Sequence, residues 1–253
     1  INELKKELTK RGVKFILSAK NWEVNTKSCE VYINEAIKIK YFHFINTAGL
    51  QADKIAQKFN IAKEFRIIPF KGIYWKLKDS CPLKIKLNLY PVPDLNVPFL
   101  GIHFTPSAIN NSVYIGPTAI PALGRENYNL LEKIEPKNAF YDFSFLAQQY
   151  FSNKDGFRKY VHEQALQGIP MFFLKSAKNL IPGLKYNQIE PSQKVGLRAQ
   201  LFNIKSKKII KDFLCINFEN STHVINAISP AFTASFELAD YIIDNYILPQ
   251  LRK

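Results

Sequence analysis

The first sixty residues alternate between helical and extended patterns of apolar positions. Apolar residues three and four positions apart predict a helix over 1–11, and Gly12 is a natural end for it. The pattern then changes to runs of adjacent or alternating apolar residues, which predict strands, the first of them buried. These runs are VKFILS (13–18), CEVYIN (29–34) and IKYFHFIN (39–46). A small-residue turn and a helix over about 50–59 follow, an order typical of the later part of a nucleotide-binding α/β domain.

The middle of the chain has a different pattern. Turns rich in Pro, Asn and Asp separate extended runs between 64 and 118, which predicts an antiparallel sheet. The runs are FRIIPFKGIYWKL (65–77), KIKLNLYPVP (84–93), FLGIHFT (99–105) and SVYIGP (112–117). Helical spacing with aromatic anchors returns over 126–180.

Strands and a final helix are predicted for the last sixty residues. Extended runs lie within 194–228, and the basic segment KSKKIIK (205–211) is predicted to be a hairpin between two of them. A long helix should follow, with Ser229 as its N-cap and Pro230 in its first turn. Its apolar positions are spaced as one buried face. They are Phe232, Phe236, Ala239, Ile243 and Tyr246.

These patterns predict an α/β (α+β) fold in which one domain interrupts another. Residues 1–60 and 194–253 are predicted to form a discontinuous nucleotide-binding domain, and 61–193 an inserted substrate domain of antiparallel strands and helices. A complete Rossmann domain opens with a strand, a GxGxxG turn and a helix. No two of the ten glycines are two positions apart, so this chain carries no such phosphate-binding turn.

Composition and charge narrow the class of protein. A hydrophobic fraction of 47% with 22% charged residues excludes a disordered chain, and the apolar runs are too short to cross a bilayer. The net charge of +14 comes from scattered lysines without any nucleic-acid-binding motif, so we expect solvated lysines and no nucleic-acid partner. The expected location is cytoplasmic, with membrane contact at most peripheral.

Neither a disulfide framework nor a metal site is expected from the cysteines and histidines. The three cysteines are far apart, and no CxxC pair occurs. His162 and Glu163 begin an HExxH pattern, but Leu166 occupies its last position, which excludes the zinc-protease motif.

Six blocks of the sequence resemble, in order, those of the L-2-hydroxyglutarate dehydrogenases and oxidases. These are FAD enzymes of the D-amino-acid-oxidase-like superfamily. The blocks are INTAGLQADKIA (45–56), IIPFKGIYWKL (67–77), LYPVPDLNVPFLGIHFTP (89–106), YIGPTAIPALGRENY (114–128), VGLRAQ (195–200) and HVINAISPAFTASFELAD (223–240). The resemblance runs nearly end to end but lacks the family's amino-terminal glycine-rich part. It implies an incomplete FAD-binding Rossmann-like domain with an inserted antiparallel-sheet substrate domain.

The resemblance implies FAD-dependent oxidation of L-2-hydroxyglutarate, a small dicarboxylate, to 2-oxoglutarate. Arg198 is then expected to clamp a carboxylate, because a guanidinium fits it bidentately. The apolar neighbours of Arg198 favour its lying on the opposite strand face from them, although the sequence does not decide which face is which, and a surface arginine is the alternative. His103 is expected beside the substrate hydroxyl, whose proton a neutral imidazole can accept. Without the resemblance, a histidine satisfied in the core is the commoner reading.

Four further residues are implied to contact the substrate. Lys71 stands where the family usually has Arg, so it keeps the charge but loses the bidentate fork. Tyr74 and Tyr90 are candidate hydroxyl donors, with simple packing as an equal alternative. Thr105 alternates onto the face of His103 and could bond substrate or flavin.

Two chain segments are implied to contact FAD. Asn46, Ala48 and Gly49 match the family's cofactor-facing turn. Ser229, Pro230 and Ala231 match the start of the final helix, whose positive end would face the flavin. The chain departs from the family pattern at Thr118, where Asn is usual, and at Phe232, where Ala is usual.

Three alternatives to this function stay open from the sequence. A flavoenzyme of the same fold could act on another hydroxy or amino acid. The chain could also be an inactive remnant, or a subunit that needs a Rossmann-bearing partner, because the glycine-rich turn is missing. A basic nucleic-acid-binding protein is the remaining alternative. The electron acceptor is not indicated by any residue.

Overall fold

The computed structural model describes residues 1–92, 101–129, 131–153, 156–228 and 231–251. The predicted first helix is confirmed as α1 (Asn2–Lys10). A three-stranded antiparallel meander follows, in the order β1-β2-β3. Its strands are β1 (Trp22–Asn25), β2 (Glu30–Ile33) and β3 (Ile37–Lys40). The predicted strand over 29–34 is therefore confirmed, whereas the run over 39–46 divides between β3 and the next strand.

A small mixed sheet forms the α/β part of the molecule. Its strands are β4 (Phe44–Asn46), β11 (Leu214–Phe218) and β12 (Ser221–Asn226). β12 pairs parallel with β4 and antiparallel with β11. The predicted helix after β4 is confirmed as α2 (Ala52–Lys58), whose small buried residues Ala52 and Ala56 pack closely against Ile225 of β12.

The predicted antiparallel sheet is confirmed as the largest element of the fold. Its strand order is β10-β9-β5-β7-β6, with β8 also paired to β5. The strands are β5 (Phe65–Leu77), β6 (His103–Pro106), β7 (Val113–Gly116), β8 (Ile120–Pro121), β9 (Ile189–Asn203) and β10 (Lys208–Ile209). β9 and β10 form the predicted hairpin around 205–211, and β5 and β9 pair along nearly their whole length.

Both faces of this sheet are covered by helices. Successive strand residues point to opposite faces, so Ile68 packs against Phe145 and Phe157, whereas Ile67 packs in the cluster that contains α2. The covering helices include those predicted within 126–180. They are α3 (Pro136–Ser152), α4 (Phe157–Gln167) and α5 (Pro170–Lys178). The large sheet is therefore covered by α3 and α4 on one face and by α2 on the other.

The predicted buried strand over 13–18 is wrong. These residues have no regular secondary structure, and their apolar side chains are exposed, with Leu17 at 69%. A strand needs a hydrogen-bonding neighbour, and none of the described strands pairs with this segment. The hydrophobic run is typical of a strand, but the sequence of a segment does not show whether a second strand lies beside it.

The predicted strand over 84–93 is also wrong within its described residues, 84–92. Only Leu89 forms a bridge, to Phe104 of β6. Ile85 and Leu89 nevertheless pack against the core with Leu83, which accounts for the alternating pattern. Pro91 has no N–H to donate, so it cannot extend the bridge at Leu89 through its amide.

The final helix begins later than predicted and buries a different face. It consists of α6 (Ser235–Ile242), a wide π-helical turn over Ile243–Ile247 and α7 (Leu248–Leu251). Ala234 is its N-cap residue, and the predicted starting residues Ser229 and Pro230 lie outside the described residues. Ile242 and Ile247 are buried against Val224, whereas Phe232 and Phe236 are 79% and 69% exposed.

The late start and the π turn account for part of this difference. Phe232 precedes the helix, so its spacing to Phe236 is not a helical one. A π turn rotates the residues after it relative to an uninterrupted α-helix.

The predicted domain division stays a prediction. β9 crosses its boundary at 193/194 and keeps both sides in one sheet with β5. Among the described helices, none combines the length and the apolar character that a membrane span requires.

Candidate functional site

Two paired glycines form the floor of a cavity on the large sheet. Gly72 of β5 lies directly opposite Gly196 of β9, so neither strand places a side chain at this position. The resulting cavity has a volume of about 250 Å³. Its described lining residues are Phe70, Lys71, Gly72, Tyr74, His103, Pro117, Thr118, Ala119, Gln164, Gly196, Leu197 and Arg198.

Arg198 stands at one end of this cavity. It pairs with Phe70 across the two strands, two residues from the glycine pair and on the same face. The sequence expectation that Arg198 faces away from Val195, Leu197 and Ala199 is therefore confirmed. Burial lowers the pKa of the Arg198 guanidinium, with Tyr160 acting in the opposite direction. A guanidinium remains charged despite such a shift.

His103 stands at the other end. It pairs with Gly116 of β7. Because this glycine, like Gly72 and Gly196, has no side chain, the space in front of the imidazole is open. The Nδ1 atom lies 3.1 Å from the carbonyl oxygen of Gly101, which can only accept a hydrogen bond. Nδ1 therefore carries the proton, and Nε2 has the lone pair. Burial lowers the pKa of His103, and the nearby charge of Lys194 lowers it further.

The two tyrosines lie next to this histidine. Tyr74 lines the cavity, and the ring of Tyr90 lies 4.8 Å from that of His103. Burial and the proximity of Tyr90 raise the pKa of the Tyr74 hydroxyl, which keeps it protonated as a donor. Thr105 shares the face of His103 and pairs with Tyr114, but it is absent from the described lining of the cavity.

The side wall comes from residues that sequence reasoning missed as site residues. The Oε1 atom of Gln164 on α4 accepts a hydrogen bond from the Ala119 amide at 3.0 Å. The Oγ1 atom of Thr118 accepts one from Ile73 at 3.3 Å, and the Thr118 amide donates to the Ile73 carbonyl. Gln164 carried no signal in the sequence, because only folding brings α4 to this strand.

Lys71 lines the cavity, but its ammonium is bonded elsewhere. Strand alternation directs its side chain to the face opposite Arg198. There Nζ donates to Asn127 Oδ1 at 2.9 Å and to the Asn129 carbonyl at 3.3 Å. Burial lowers the pKa of Lys71. The predicted contact between Lys71 and a substrate carboxylate stays a prediction.

The predicted cofactor-facing turn is held in shape by Asn46. Its Nδ2 atom donates to the Ala52 carbonyl at 2.8 Å, and its Oδ1 atom accepts from the Ala48 amide at 3.2 Å. Gly49 has a φ of +53°, and a Cβ there would meet nothing within 4 Å. The buried side chain of Asn46 therefore shapes the turn from inside, while Ala48 and Gly49 present open backbone.

A buried ion pair attaches this turn to the large sheet. Arg125 donates to both carboxylate oxygens of Asp53 and to the Leu50 carbonyl. Asp53 Oδ2 also accepts from the Ile67 amide of β5 at 2.8 Å. These contacts fix the start of α2 relative to β5, and sequence reasoning did not identify them.

The second predicted cofactor segment is described only at Ala231. Its amide donates to the Ile228 carbonyl at 2.8 Å. The predicted contacts of Ser229 and Pro230 lie outside the described residues, and the contact between Ala231 and FAD stays a prediction.

A larger cavity of about 500 Å³ lies between α3 and α4 and shares Phe70, Ala119 and Gln164 with the first. Its described lining has no charged residue. Of these two cavities, the smaller combines a guanidinium, an imidazole and a phenol, so it is the better candidate for chemistry on an acid. No group of three or more His, Cys, Asp or Glu among the described residues is placed to hold a metal ion.

Comparison with known families gives a match over most of the chain. The model of the DAO family, described as FAD-dependent oxidoreductases, matches residues 1–245. The mitochondrial L-2-hydroxyglutarate dehydrogenase of Nematostella vectensis is 35% identical over 232 residues, which cover 87% of this chain and 48% of that protein. The L-2-hydroxyglutarate dehydrogenase of Indibacter alkaliphilus is 33% identical, covering 79% of this chain and 49% of that protein.

A solved structure has a similar fold. L-α-glycerophosphate oxidase from Mycoplasma pneumoniae, with FAD bound, superposes with a TM-score of 0.54 at 17% identity. The match covers 89% of this chain and 48% of that one. The chain thus spans about half the length of the curated relatives and of the solved structure that it matches.

Proposed function

This chain belongs to the DAO family of FAD-dependent oxidoreductases, and we propose that it supplies the substrate cavity of an enzyme that oxidises L-2-hydroxyglutarate to 2-oxoglutarate. The relatives named L-2-hydroxyglutarate dehydrogenase support this substrate. The observation that carries the proposal is the placement of Arg198 and His103 at two ends of one glycine-floored cavity.

The turn after β4 fits part of an FAD molecule. The open space over Gly49 leaves room for a flat or phosphate-bearing group to approach the backbone closely. Asn46 keeps that backbone in place through its bonds to Ala48 and Ala52. In this proposal, Asn46 positions the turn, and Ala48 and Gly49 contact the cofactor.

Arg198 and His103 have different roles toward the substrate in this proposal. FAD, when bound, supplies the acceptor for the hydride that leaves the substrate Cα. Arg198 binds the carboxylate next to the hydroxyl group and orients the substrate. His103 takes the hydroxyl proton at Nε2, because Nδ1 already holds a proton for Gly101. The Tyr74 hydroxyl donates a hydrogen bond inside the cavity.

Flavin bleaching tests the proposed function. The FAD-loaded protein is mixed with L-2-hydroxyglutarate without oxygen, and loss of flavin absorbance is followed. We expect bleaching with the L enantiomer and much slower bleaching with the D enantiomer. The R198M variant should retain its flavin but bleach slowly. Retained absorbance in the wild type with L-2-hydroxyglutarate would refute the assignment.

One observation favours a second substrate class, that of the 2-hydroxy monocarboxylates. The ammonium of Lys71 is bonded to Asn127 and Asn129, so the predicted partner of a second carboxylate is already occupied in part. L-2-hydroxypentanoate has the chain length of the proposed substrate without its distal carboxylate. Faster bleaching by this acid than by L-2-hydroxyglutarate would favour the monocarboxylate alternative.

A further inference from the structure

A bulge in β9 brings an additional cation next to Tyr74, one of the residues that line the candidate cavity. Ile73 of β5 pairs with Val195 of β9, and Trp75 pairs with Pro191. Residues 192–194 therefore stand opposite Tyr74 alone. A bulge of this kind re-aims side chains relative to the regular ladder, and Lys194 is the charged residue within it.

The ammonium of Lys194 lies against the tyrosine wall. Nζ is 4.9 Å from the centroid of the Tyr74 ring and 4.4 Å from that of Tyr114. Both distances are within the range of a cation–π contact, which holds an exposed lysine side chain in one region. Lys194 is not itself among the described lining residues, but it contacts the ring of Tyr74, which is one of them.

The charge of Lys194 also reaches the histidine end of the cavity. It acts on the His103 imidazole by Coulomb interaction. Arg198 lies at the opposite end, beyond the glycine pair. One cation, Arg198, thus lies at one end of the cavity, and a second, Lys194, lies near the end that His103 occupies.

We propose that Lys194 binds the distal carboxylate of the substrate and selects dicarboxylates over monocarboxylates. This inference rests on the proposed function. Arg198 holds the carboxylate beside the reacting carbon, and Lys194 leaves the rings of Tyr74 and Tyr114 to meet the second one. A lysine suits this task because its flexible stem reaches a carboxylate without a fixed fork geometry.

Lys194 suits this role better than Lys71. The Lys71 side chain leaves β5 on the other face and donates to two neutral acceptors there. The Lys194 side chain lies on the side of the sheet where Tyr74 and Tyr114 present their rings, and the contacts described for its ammonium are with these rings. A carboxylate offers it a charge-assisted hydrogen bond that a ring face does not.

Binding of unreactive acids tests this assignment without turnover. Glutarate has two carboxylates, and butanoate has one. We would measure the affinity of the FAD-loaded protein for each acid by calorimetry, in the wild type and in K194M, K194R and K208M. Lys208 is an exposed lysine of β10, near the other end of β9, and serves as the matched control.

We expect K194M to bind glutarate about fivefold more weakly, the size of a partly exposed ion pair, and to bind butanoate unchanged. K194R should recover most of the glutarate affinity, and K208M should match the wild type. Equal glutarate affinity in wild type and K194M overturns the assignment, as does a wild type that fails to prefer glutarate over butanoate.

Failure of this inference can be separated from failure of the proposed function. Bleaching of wild-type flavin by L-2-hydroxyglutarate, together with unchanged glutarate affinity in K194M, removes the role of Lys194 and leaves the proposed function in place. Absence of bleaching refutes the proposed function whatever the calorimetry shows. Equal melting temperatures of K194M and K208M exclude a folding defect as the cause of weaker binding.

Discussion

Gly72 and Gly196 are direct neighbours across β5 and β9, yet only one of them has room for a side chain. A Cβ on Gly72 would lie 2.6 Å from Cβ of Pro117, a contact that requires movement. A Cβ on Gly196 would meet its nearest atom, Cε2 of Tyr74, at an ordinary 4.0 Å. The two glycines therefore have different roles. The lack of a Cβ at Gly72 lets Pro117 pack against β5, and its lack at Gly196 leaves space for the ligand.

Substitution of each glycine by alanine separates these tasks. We expect G72A to lower the free energy of unfolding by about 1–3 kcal/mol, the usual cost of overpacking. G196A should unfold within about 0.5 kcal/mol of the wild type but bind glutarate less tightly, because its methyl group occupies the cavity floor. Denaturant titration and calorimetry measure the two effects. Equal stability of both variants would contradict this distinction.

Replacing Arg198 with methionine or lysine tests whether it binds a substrate carboxylate. R198M removes the charge, and we expect its KM for L-2-hydroxyglutarate to rise about 100-fold, because a charged hydrogen-bonded pair in a buried site is lost. R198K keeps the charge but lacks the fork, so an intermediate KM is expected. Steady-state kinetics measure both. A KM in R198M within twofold of the wild type would rule out the clamp.

The lowered pKa of His103 sets the expected pH dependence of flavin reduction. Its neutral form is the base, and burial lowers its pKa below 6.5. The reduction rate should therefore rise with pH through a value below 6.5 and be constant above it. H103Q should be slower by about 10²–10⁴ and should lose this inflection. Stopped-flow reduction from about pH 5 to 8 tests this, and an unchanged profile in H103Q would assign the inflection to another group.

The buried pair of Asp53 and Arg125 supports a prediction about stability. D53N leaves the Arg125 guanidinium buried without its counter-charge, and we expect a loss of about 3–5 kcal/mol in the free energy of unfolding. Glu126 forms an exposed pair with Lys133, so E126Q is the matched control and should cost less than about 1 kcal/mol. Urea unfolding compares them, and equal losses would show that burial is irrelevant to this pair.

The buried His223 should make the free energy of unfolding depend on pH. Burial, with His43 as a secondary cause, lowers its pKa from 6.5 to about 4. Between these values the unfolded chain binds a proton that the folded chain does not, so His223 destabilises the folded state as pH falls from 6.5 towards 4. Protonation of His223 can lower the free energy of unfolding by about 3 kcal/mol at most.

Comparison with H223Q isolates this contribution. The wild type should be more stable than H223Q near neutral pH, because Asn46 and Ser221 bond the imidazole. That advantage should shrink at lower pH, since the variant has no group to protonate at this position. Urea unfolding of both proteins at several pH values measures the difference. A constant difference across the range would contradict the assignment.

Much of the fold was predictable because it depends on local pattern. The apolar runs at 65–77 and from 194 onward are typical of strands, and the structure has β5 and β9 there. The errors concern pairing and helix boundaries. Residues 13–18 have the apolar character of a strand, but their hydrogen-bonding partner is not a property of the segment itself.

The candidate site was predictable in part. Arg198, His103 and Tyr74 were singled out from short blocks, and the structure places all three around one cavity. Gln164 was missed because only tertiary contacts bring α4 to the cavity, and the contact of Lys194 with Tyr74 depends on a bulge that the sequence does not show. The environment of Lys71 was also not predictable, since Asn127 and Asn129 approach it from a distant loop.

The central strands have a consequence for how the molecule forms. β5 ends at Leu77 and β9 begins at Ile189, so the longest ladder joins segments that are distant in the chain. Closing such a long loop costs entropy before the ladder compensates for it, which slows folding. Until β9 arrives, the inner edge of β5 exposes unpaired backbone groups that invite association between chains. Newly made copies should therefore be most vulnerable to aggregation before residues 189–203 have joined the sheet.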